Sequence, residues 1–348
     1  MNDPKFYDGT KLLSLKDANG NTPEIYICTS NRSAGKTTYW NRYFVNRFIK
    51  NGEKFMLIYR NVTQLDGDIS GKFFKDIGPL FFPDYTMTHK QQKEGYVDLY
   101  LNDIHCGYAV SLKKSVKYKE CSHFFSDTVR MLFDEFMPED NAYLKDECTK
   151  LRSIHQSVAR GKSKMSRYVP VFMVSNPVTL LNPYYIAWGI SDRLRSDTKF
   201  MRGDGWVLEQ GFNEDAAKAQ QESAFNRAFG DDKYSAYAAQ GKYLNDSATF
   251  IEKIEGQKSS YLATLKYEGK WYAIREYPAL GILYCDDRPD MSRPIKISLT
   301  TEDHDVNYVM LRRNDIFISR FKFYFDHGCF RFKNLKCKEV IFNMLSYR

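Results

Sequence analysis

No apolar run in the 348 residues approaches the roughly eighteen that a membrane-crossing helix needs, so a membrane partner is not expected. The opening MNDPKFYDG lacks the basic-then-apolar order of an export signal, and a cytosolic protein is the expectation. Seven cysteines include no Cys-x-x-Cys pair, and their number is odd. Neither a zinc site nor a disulfide framework is indicated, and a reducing compartment is the simpler reading. Histidine is scarce, at six. His105-Cys106, and Cys121 with His123, fall short of the four convergent ligands of a tetrahedral metal site and read as ordinary strand and loop residues. Aromatic residues, at 16%, and positive charge, at a net +8, are what the chain has in excess. That charge is compatible with a polyanionic partner without requiring one. The length suits about two domains with a full hydrophobic core.

The stretch Glu24 to Trp40, EIYICTSNRSAGKTTYW, organises the rest. An apolar strand-like run (Ile25, Tyr26, Ile27, Cys28) breaks into small polar residues, reaches Gly35-Lys36-Thr37 and opens a segment without a breaker until Asn51-Gly52. This is the strand, loop and helix of a phosphate-binding loop, covering Ser30, Asn31, Arg32, Ser33, Ala34, Gly35, Lys36, Thr37 and Thr38. The chemistry needs each part. Backbone N–H groups and a helix N-terminus face the phosphates, the Lys36 ammonium reaches the outer ones, and the Thr37 hydroxyl binds Mg²⁺. Ser30 stands where the pattern G-x-x-x-x-G-K-[ST] has its first glycine.

Residues 1–23 are polar and predict an arm reaching the first strand, and Lys36 to Lys50 predicts a helix with Tyr39, Tyr43, Phe44 and Phe48 on one side. Phe55 to Tyr59 is a continuous apolar run, the mark of a parallel strand buried on both faces. Arg60 follows at its carboxyl end, where α/β sheets bind ligands; a contact to phosphate or DNA and a salt bridge to a local acid are both open. Tyr96 to Leu101 alternates like an edge strand. Lys113, Lys114, Lys117 and Lys119 then bracket Tyr118, which reads either as a DNA contact with an interleaved aromatic or as a solvated face.

Val129 to Phe136 is a mostly apolar strand that delivers Asp134 to the Mg²⁺ shell and Glu135 beside the attacking water. Ala142 to Ser157 predicts a helix, followed by Arg160. Tyr168 to Pro177 is another buried strand, ending in Ser175-Asn176. Asn176 is placed to sense the γ-phosphate, with a plain Asn-Pro turn as the other reading. Residues 206–245, helical from Asn213 to about Gly230, read as a lid or linker. From Thr249 the pattern changes to strands: Ser260–Tyr267 and Lys270–Tyr277 flank a Glu268-Gly269 hairpin turn, and Gly281–Cys285 follows. A helix is expected from near Thr301 to His327-Gly328, and a last one from Asn334 to Tyr347. From Arg312 to Arg348 there are nine Lys or Arg against three acids, either a docking surface for RNA, DNA or an acidic protein, or a solvated face.

In order, these motifs resemble the genome-packaging ATPases of small tailed phages, a branch of the terminase-like DNA translocases. The residues that carry the resemblance are Ser30 to Thr37 with an arginine inside the loop, Asn46 to Glu53, Leu132-Phe-Asp-Glu-Phe136, Val174-Ser-Asn-Pro177 with Asn182-Pro-Tyr184, and Phe250-Ile-Glu-Lys253. The resemblance implies an α/β fold. A P-loop (ASCE/RecA-like) ATPase domain with a parallel central sheet spans 1–205, the lid or linker 206–245, and a smaller α+β domain 246–348 resembles a degenerate RNase H-like nuclease that binds rather than cuts. It implies ATP and Mg²⁺ as cofactors, with Glu135 catalytic and Arg32 matching the in-loop arginine. An arginine finger comes from the neighbouring subunit: Arg160 matches best, with Arg152 and Arg167 as rivals. Lys119 falls near a family lysine that touches DNA. The partners implied are double-stranded DNA, the portal and capsid, and further copies in a ring of five; the place is the host cytoplasm and, transiently, the portal vertex. A cellular DNA pump or helicase of the same class, and a nucleotide-gated scaffold, are the alternatives.

Overall fold

The computed structural model describes residues 6–65, 67–140, 142–160, 166–191, 193–194, 198–229, 250–310 and 316–346. It divides into two compact units, 1–245 and 246–348.

The first unit is built on a nine-stranded sheet in the order β3-β4-β5-β2-β6-β7-β1-β9-β8. In chain order the strands are β1 (Ile25–Thr29), β2 (Lys54–Tyr59), β3 (Met87–Gln91), β4 (Val97–Leu101), β5 (Ile104–Ser111), β6 (Thr128–Asp134), β7 (Val171–Ser175), β8 (Phe200–Gly203) and β9 (Trp206–Gln210). From β5 to β9 the neighbours run parallel. The β3–β4 hairpin and β8 add antiparallel edges. The helices are α1 (Thr10–Ser14), α2 (Lys36–Asn51), α3 (Gly67–Phe81), α4 (Ser115–Glu120), α5 (Glu147–Ala159), α6 (Pro183–Ala187), α7 (Glu214–Glu222) and α8 (Ala224–Phe229).

The parallel strands read as continuous apolar runs because both faces are covered. Tyr26, Cys28, Leu57 and Val174 point into a core shared with Trp40 and Phe44 of α2. Ile27, Ile58, Phe133 and Met173 point to the other side, against Ile154 and Val158 of α5. On α2 the deepest residues are Trp40 and Phe44, while Tyr39, Tyr43 and Phe48 pack at its margins. One expectation needs correction here. Residues 206–210, read as the start of a helical lid, form β9, which pairs in parallel with the first strand, Ile25↔Trp206 to Thr29↔Gln210. Their apolar run, Trp206-Val-Leu208, is short, and the partner strand lies far away in sequence. The helical segment then begins at Glu214 as expected, while residues 230–245 lie outside the described residues.

The second unit carries a six-stranded sheet, β14-β13-β10-β11-β12-β15, with β10 (Ser260–Tyr267), β11 (Lys270–Tyr277), β12 (Ile282–Asp286), β13 (Lys296–Ser298), β14 (Val309–Met310) and β15 (Phe330–Phe332). β10, β11 and β12 form an antiparallel meander, and β13 runs parallel to β10. The Glu268-Gly269 turn has φ of 50° and 72°, the pair of left-handed residues that fits strand twist. Asp303 closes it by accepting from the N–H groups of Glu268 and Gly269 at 2.6 and 2.8 Å. Helices α9 (Ile316–Asp326) and α10 (Leu335–Ser346) bury Phe321, Val340 and Ile341 against the sheet. The helix expected from Thr301 therefore starts later: Thr300 and Asp303 are committed to the hairpin, and residues 309–310 to β14.

Candidate phosphate-binding site

After Thr29 the chain leaves the sheet as the Ser30–Gly35 loop and enters α2 at Lys36. The positive-φ demand of this loop falls on Ser33, at 60°, and Gly35, at 85°; Ser30 is not among the positive-φ residues. At Gly35 a side chain is doubly disfavoured, because a Cβ would also stand 3.2 Å from the ring of Phe6. The N-terminal arm that supplies Phe6 is tied to the loop by Tyr7, whose N–H donates to Ala34 O at 2.8 Å and whose hydroxyl donates to Glu209 Oε2 at 2.7 Å.

Lys36 is buried, and its ammonium donates to Ser30 O at 3.0 Å, Asn31 O at 3.1 Å and Asn176 Oδ1 at 3.0 Å. An ammonium has three protons, so all three are used. Burial lowers its pKa, and the nearby Asp134 works in the opposite direction. Thr37 Oγ1 donates to Asp134 Oδ1 at 3.3 Å, bringing the tip of β6 to the first turn of α2. Burial pushes the Asp134 carboxyl up to about 6, and the charge of Glu135 adds to the rise. Hydroxyl and carboxylate oxygens are the donors that Mg²⁺ takes from a protein, and a buried ammonium beside them suits a polyphosphate; this donor set fits a magnesium nucleotide.

Glu135 is exposed and stands at φ 54°, with its N–H on Asp134 Oδ1 at 3.0 Å. A non-glycine residue held there costs about 1–2 kcal/mol, the kind of strain that gathers at functional sites. Arg32, Glu135, Ser175, Asn176 and Glu139 line a cavity of about 460 Å³. A second one, of about 230 Å³, is lined by Thr37, Asp134 and Glu135 and shares Gln64 with the first. Arg32 pairs with Glu139 at 3.1 Å, both among the residues that line the first cavity.

Arg60, expected among the DNA contacts, is instead a buried structural group. Its Nε and Nη2 donate to Glu147 Oε2 and Oε1 at 2.9 and 3.0 Å. Nη1 and Nη2 also reach Glu135 O at 3.1 Å and Phe136 O at 2.8 Å. Glu147 further accepts from Tyr184 Oη at 3.0 Å and Leu144 N–H at 2.8 Å. The salt-bridge reading of Arg60 is the correct one. Nothing in the local pattern of Glu147 announces it, since its partner lies 87 positions away.

The lysine run occupies a 3₁₀ turn, Leu112–Lys114, and α4. Lys113, Lys117 and Lys119 are exposed, and Lys114 is half-buried. Tyr118 is not an interleaved stacking residue: it is buried, donating to Gly95 O at 2.8 Å and accepting from Ser111 N–H at 3.1 Å. The run is fastened to the site, because Ser111 Oγ and Lys113 N–H donate to Arg60 O at 3.1 and 3.3 Å.

Arg160 follows α5 and is exposed, its Nε donating to Gln156 O at 3.1 Å. It stands about 20 Å along the helix from Glu147, on the rise of 1.5 Å per residue. Arg152 is exposed mid-helix, while Arg167 is engaged by Val158 O at 2.7 Å and Thr128 O at 3.3 Å. Residues 161–165 lie outside the described residues. In the second unit the basic excess is largely paired: Arg320 with Glu276 at 2.7 Å, Lys322 with Asp326 at 2.9 Å, Arg331 with Glu252 at 3.0 Å, and Lys333 with Asp287. Arg312, Arg313 and Arg348 lie outside the described residues. Asp286 is taken by Arg275 at 2.7 Å, and among the described residues no three His, Cys, Asp or Glu gather as a metal site. No described helix is long and apolar enough to cross a membrane.

Comparison with known proteins places this geometry in context. The model of one family, described as Podovirus DNA encapsidation protein (Gp16), matches residues 1–348. The DNA packaging protein of Bacillus phage phi29 is 25% identical over 348 residues, covering 99% of this chain and 98% of that one. The DNA packaging protein of Bacillus phage B103 is 24% identical over 317 residues, covering 90% and 94%. Among solved structures, a chain of the bacteriophage phi29 viral genome packaging motor assembly shares the fold, with a TM-score of 0.71 at 23% identity over 97% of this chain and 99% of that one.

Proposed function

Because this chain belongs to the podovirus DNA encapsidation protein family, we propose that it is an ATP-hydrolysing motor that drives double-stranded DNA into an empty capsid. The observation that carries the proposal is the meeting of three strand tips. Lys36 after β1, Asp134 on β6 and Asn176 after β7 are joined by Lys36–Asn176 and Thr37–Asp134 contacts of 3.0 and 3.3 Å. β7 lies between β1 and β6, the order expected of an ASCE-type ATPase sheet, and this insertion is what brings Asn176 to the ammonium.

Bound ATP with Mg²⁺ supplies a polarised terminal phosphate. Lys36 and the loop N–H groups hold its charge, and Thr37 and Asp134 hold the metal. Glu135 orients and deprotonates the attacking water from the exposed end of the strand, worth about 10²–10⁴ in rate. Asn176, hydrogen-bonded to Lys36, senses the outer phosphate. Arg32 faces the same cavity from the loop. Arg160 from the adjacent subunit of a ring, taken to be a pentamer, stabilises transition-state charge, worth about a thousandfold or more.

Coupling runs through Arg60. Its guanidinium holds the carbonyls of Glu135 and Phe136, and its own carbonyl holds Ser111 and Lys113 at the head of the lysine run. A shift at the catalytic acid therefore reaches Lys113, Lys114, Lys117 and Lys119, which grip the DNA backbone. The second unit docks on the portal, the capsid or RNA. Its β12-β11-β10-β13-β14 order supports an RNase H-like ancestry, and its central strand β10 carries no carboxylate, which suits binding rather than cutting. The motor works in the host cytoplasm and on the portal vertex.

Steady-state ATP hydrolysis with and without double-stranded DNA and purified capsids is the test. Stimulation by both, with DNA uptake into capsids, is the expected result. Binding of ATP without DNA-stimulated turnover would replace the motor with a nucleotide-gated scaffold, and processive DNA movement without capsids would indicate a free-standing pump.

A further inference from the structure

β1 and β9 are parallel neighbours up to Thr29 and Gln210, and the pairing continues where the loop begins. Gly211 N–H donates to Thr29 O at 2.7 Å. Beyond that point the main chain has turned into the loop, and a side chain takes over from it. Asn31 Nδ2 donates to Asn213 O at 3.0 Å, and Asn31 Oδ1 accepts from Asn213 N–H at 2.9 Å. A side-chain amide carries the same donor and acceptor as a peptide group, so this two-point pair closes only at one spacing between loop and residue 213. Asn31 is fully buried. Asn213 is also the N-cap of α7, its Oδ1 accepting from Ala216 N–H at 2.7 Å. About two turns further along the helix, Gln220 Nε2 donates to Ser33 Oγ at 2.9 Å.

Two loop residues therefore face α7 with their side chains, while the carbonyl of one of them, Asn31, accepts from Lys36. Building on the nucleotide-binding reading above, we propose that Asn31 is a positioning residue that transmits triphosphate occupancy of the loop to α7. A triphosphate competes for the Lys36 protons that Ser30 and Asn31 carbonyls accept. The loop backbone resettles around the phosphates, and the Asn31 amide carries that movement to the first turn of α7. Ser33 and Gln220 bind the other end of the same helix, so α7 moves or stiffens as one piece.

Hydrogen–deuterium exchange of residues 213–222 in the full-length protein tests this, with a non-hydrolysable ATP analogue and Mg²⁺ at concentrations that calorimetry shows to be saturating for each variant. In the wild type, exchange across α7 slows about tenfold on saturation, because a loop fixed by phosphates opens less often. In Asn31→Ala the ratio falls below about twofold, and in Gln220→Ala, whose side chain lies outside the loop and also accepts from Asn226 Nδ2 at 3.0 Å, to an intermediate value. A clasp with a purely structural role would speed exchange equally with and without the analogue and leave the tenfold ratio intact; that outcome overturns the proposal, as does an unchanged ratio in Gln220→Ala. Saturable binding by the wild type with no slowing in α7 defeats this inference alone. No binding by the wild type defeats the nucleotide reading beneath it.

Discussion

Replacing Glu147 by Ala removes the counter-charge of a guanidinium whose side chain is 6% exposed, from a carboxylate that is itself fully covered. Breaking one partner out of such a pair costs about 3–5 kcal/mol, because the remaining charge stays buried and unpaired. Set against a total stability of about 5–15 kcal/mol, that is a large fraction of what the first unit has. For a unit of this size, each kcal/mol shifts the midpoint by about 2–4 °C, so the transition should fall by roughly 6–20 °C. Differential scanning calorimetry of the wild type, Glu147→Ala, and the double variant Arg60→Met with Glu147→Leu measures it. The apolar pair should recover about half of the loss or more, since it removes both charges. What is not recovered reflects Glu135 O, Phe136 O, Leu144 N–H and Tyr184 Oη, each of which loses a charged partner. ATP turnover at a temperature where Glu147→Ala is still folded should also drop, by about tenfold, because Arg60, no longer held by Glu147, positions the Glu135 carbonyl less firmly. A midpoint within about 2 °C of the wild type, or a double variant no better than the single one, would refute the reasoning.

Further predictions concern the site itself. Glu135→Gln should bind ATP and lose at least about a hundredfold in turnover. Mixing it with Arg160→Ala subunits should restore part of the activity if the arginine acts across the interface, and no rescue at any ratio removes Arg160 from that role. Asp134, with its carboxyl raised to about 6, is ionised above that pH and protonated below it, so Mg²⁺-dependent nucleotide binding should weaken as pH falls through 6. Asp134→Asn should bind weakly at every pH tested; a variant retaining the wild-type pH profile would transfer the effect to another group. Replacing Lys113, Lys117 and Lys119 together by Ala should weaken DNA binding regardless of sequence and flatten its logarithmic salt slope by about 3, and an unchanged slope would place the DNA elsewhere.

The chain by itself determined what depends on near neighbours. A glycine before Lys36-Thr37, an apolar strand ending in Asp134-Glu135, and Glu268-Gly269 between alternating runs each impose their geometry through backbone sterics and hydrogen-bonding groups a few residues apart, and each stands in the folded molecule as the pattern implies. Only the tertiary structure decided which distant strands lie side by side. It set β7 between β1 and β6, so that Asn176 meets Lys36, and it brought residues 206–210 into the sheet beside β1, where a lid had been expected. It buried Arg60 against Glu147 and turned Tyr118 inward, deciding between readings that charge and aromatic content left open at those positions. Side-chain periodicity encodes which face of an element is covered, but carries no record of the partner that covers it. An exposed cation and a buried, paired one are the same letter until the chain has folded.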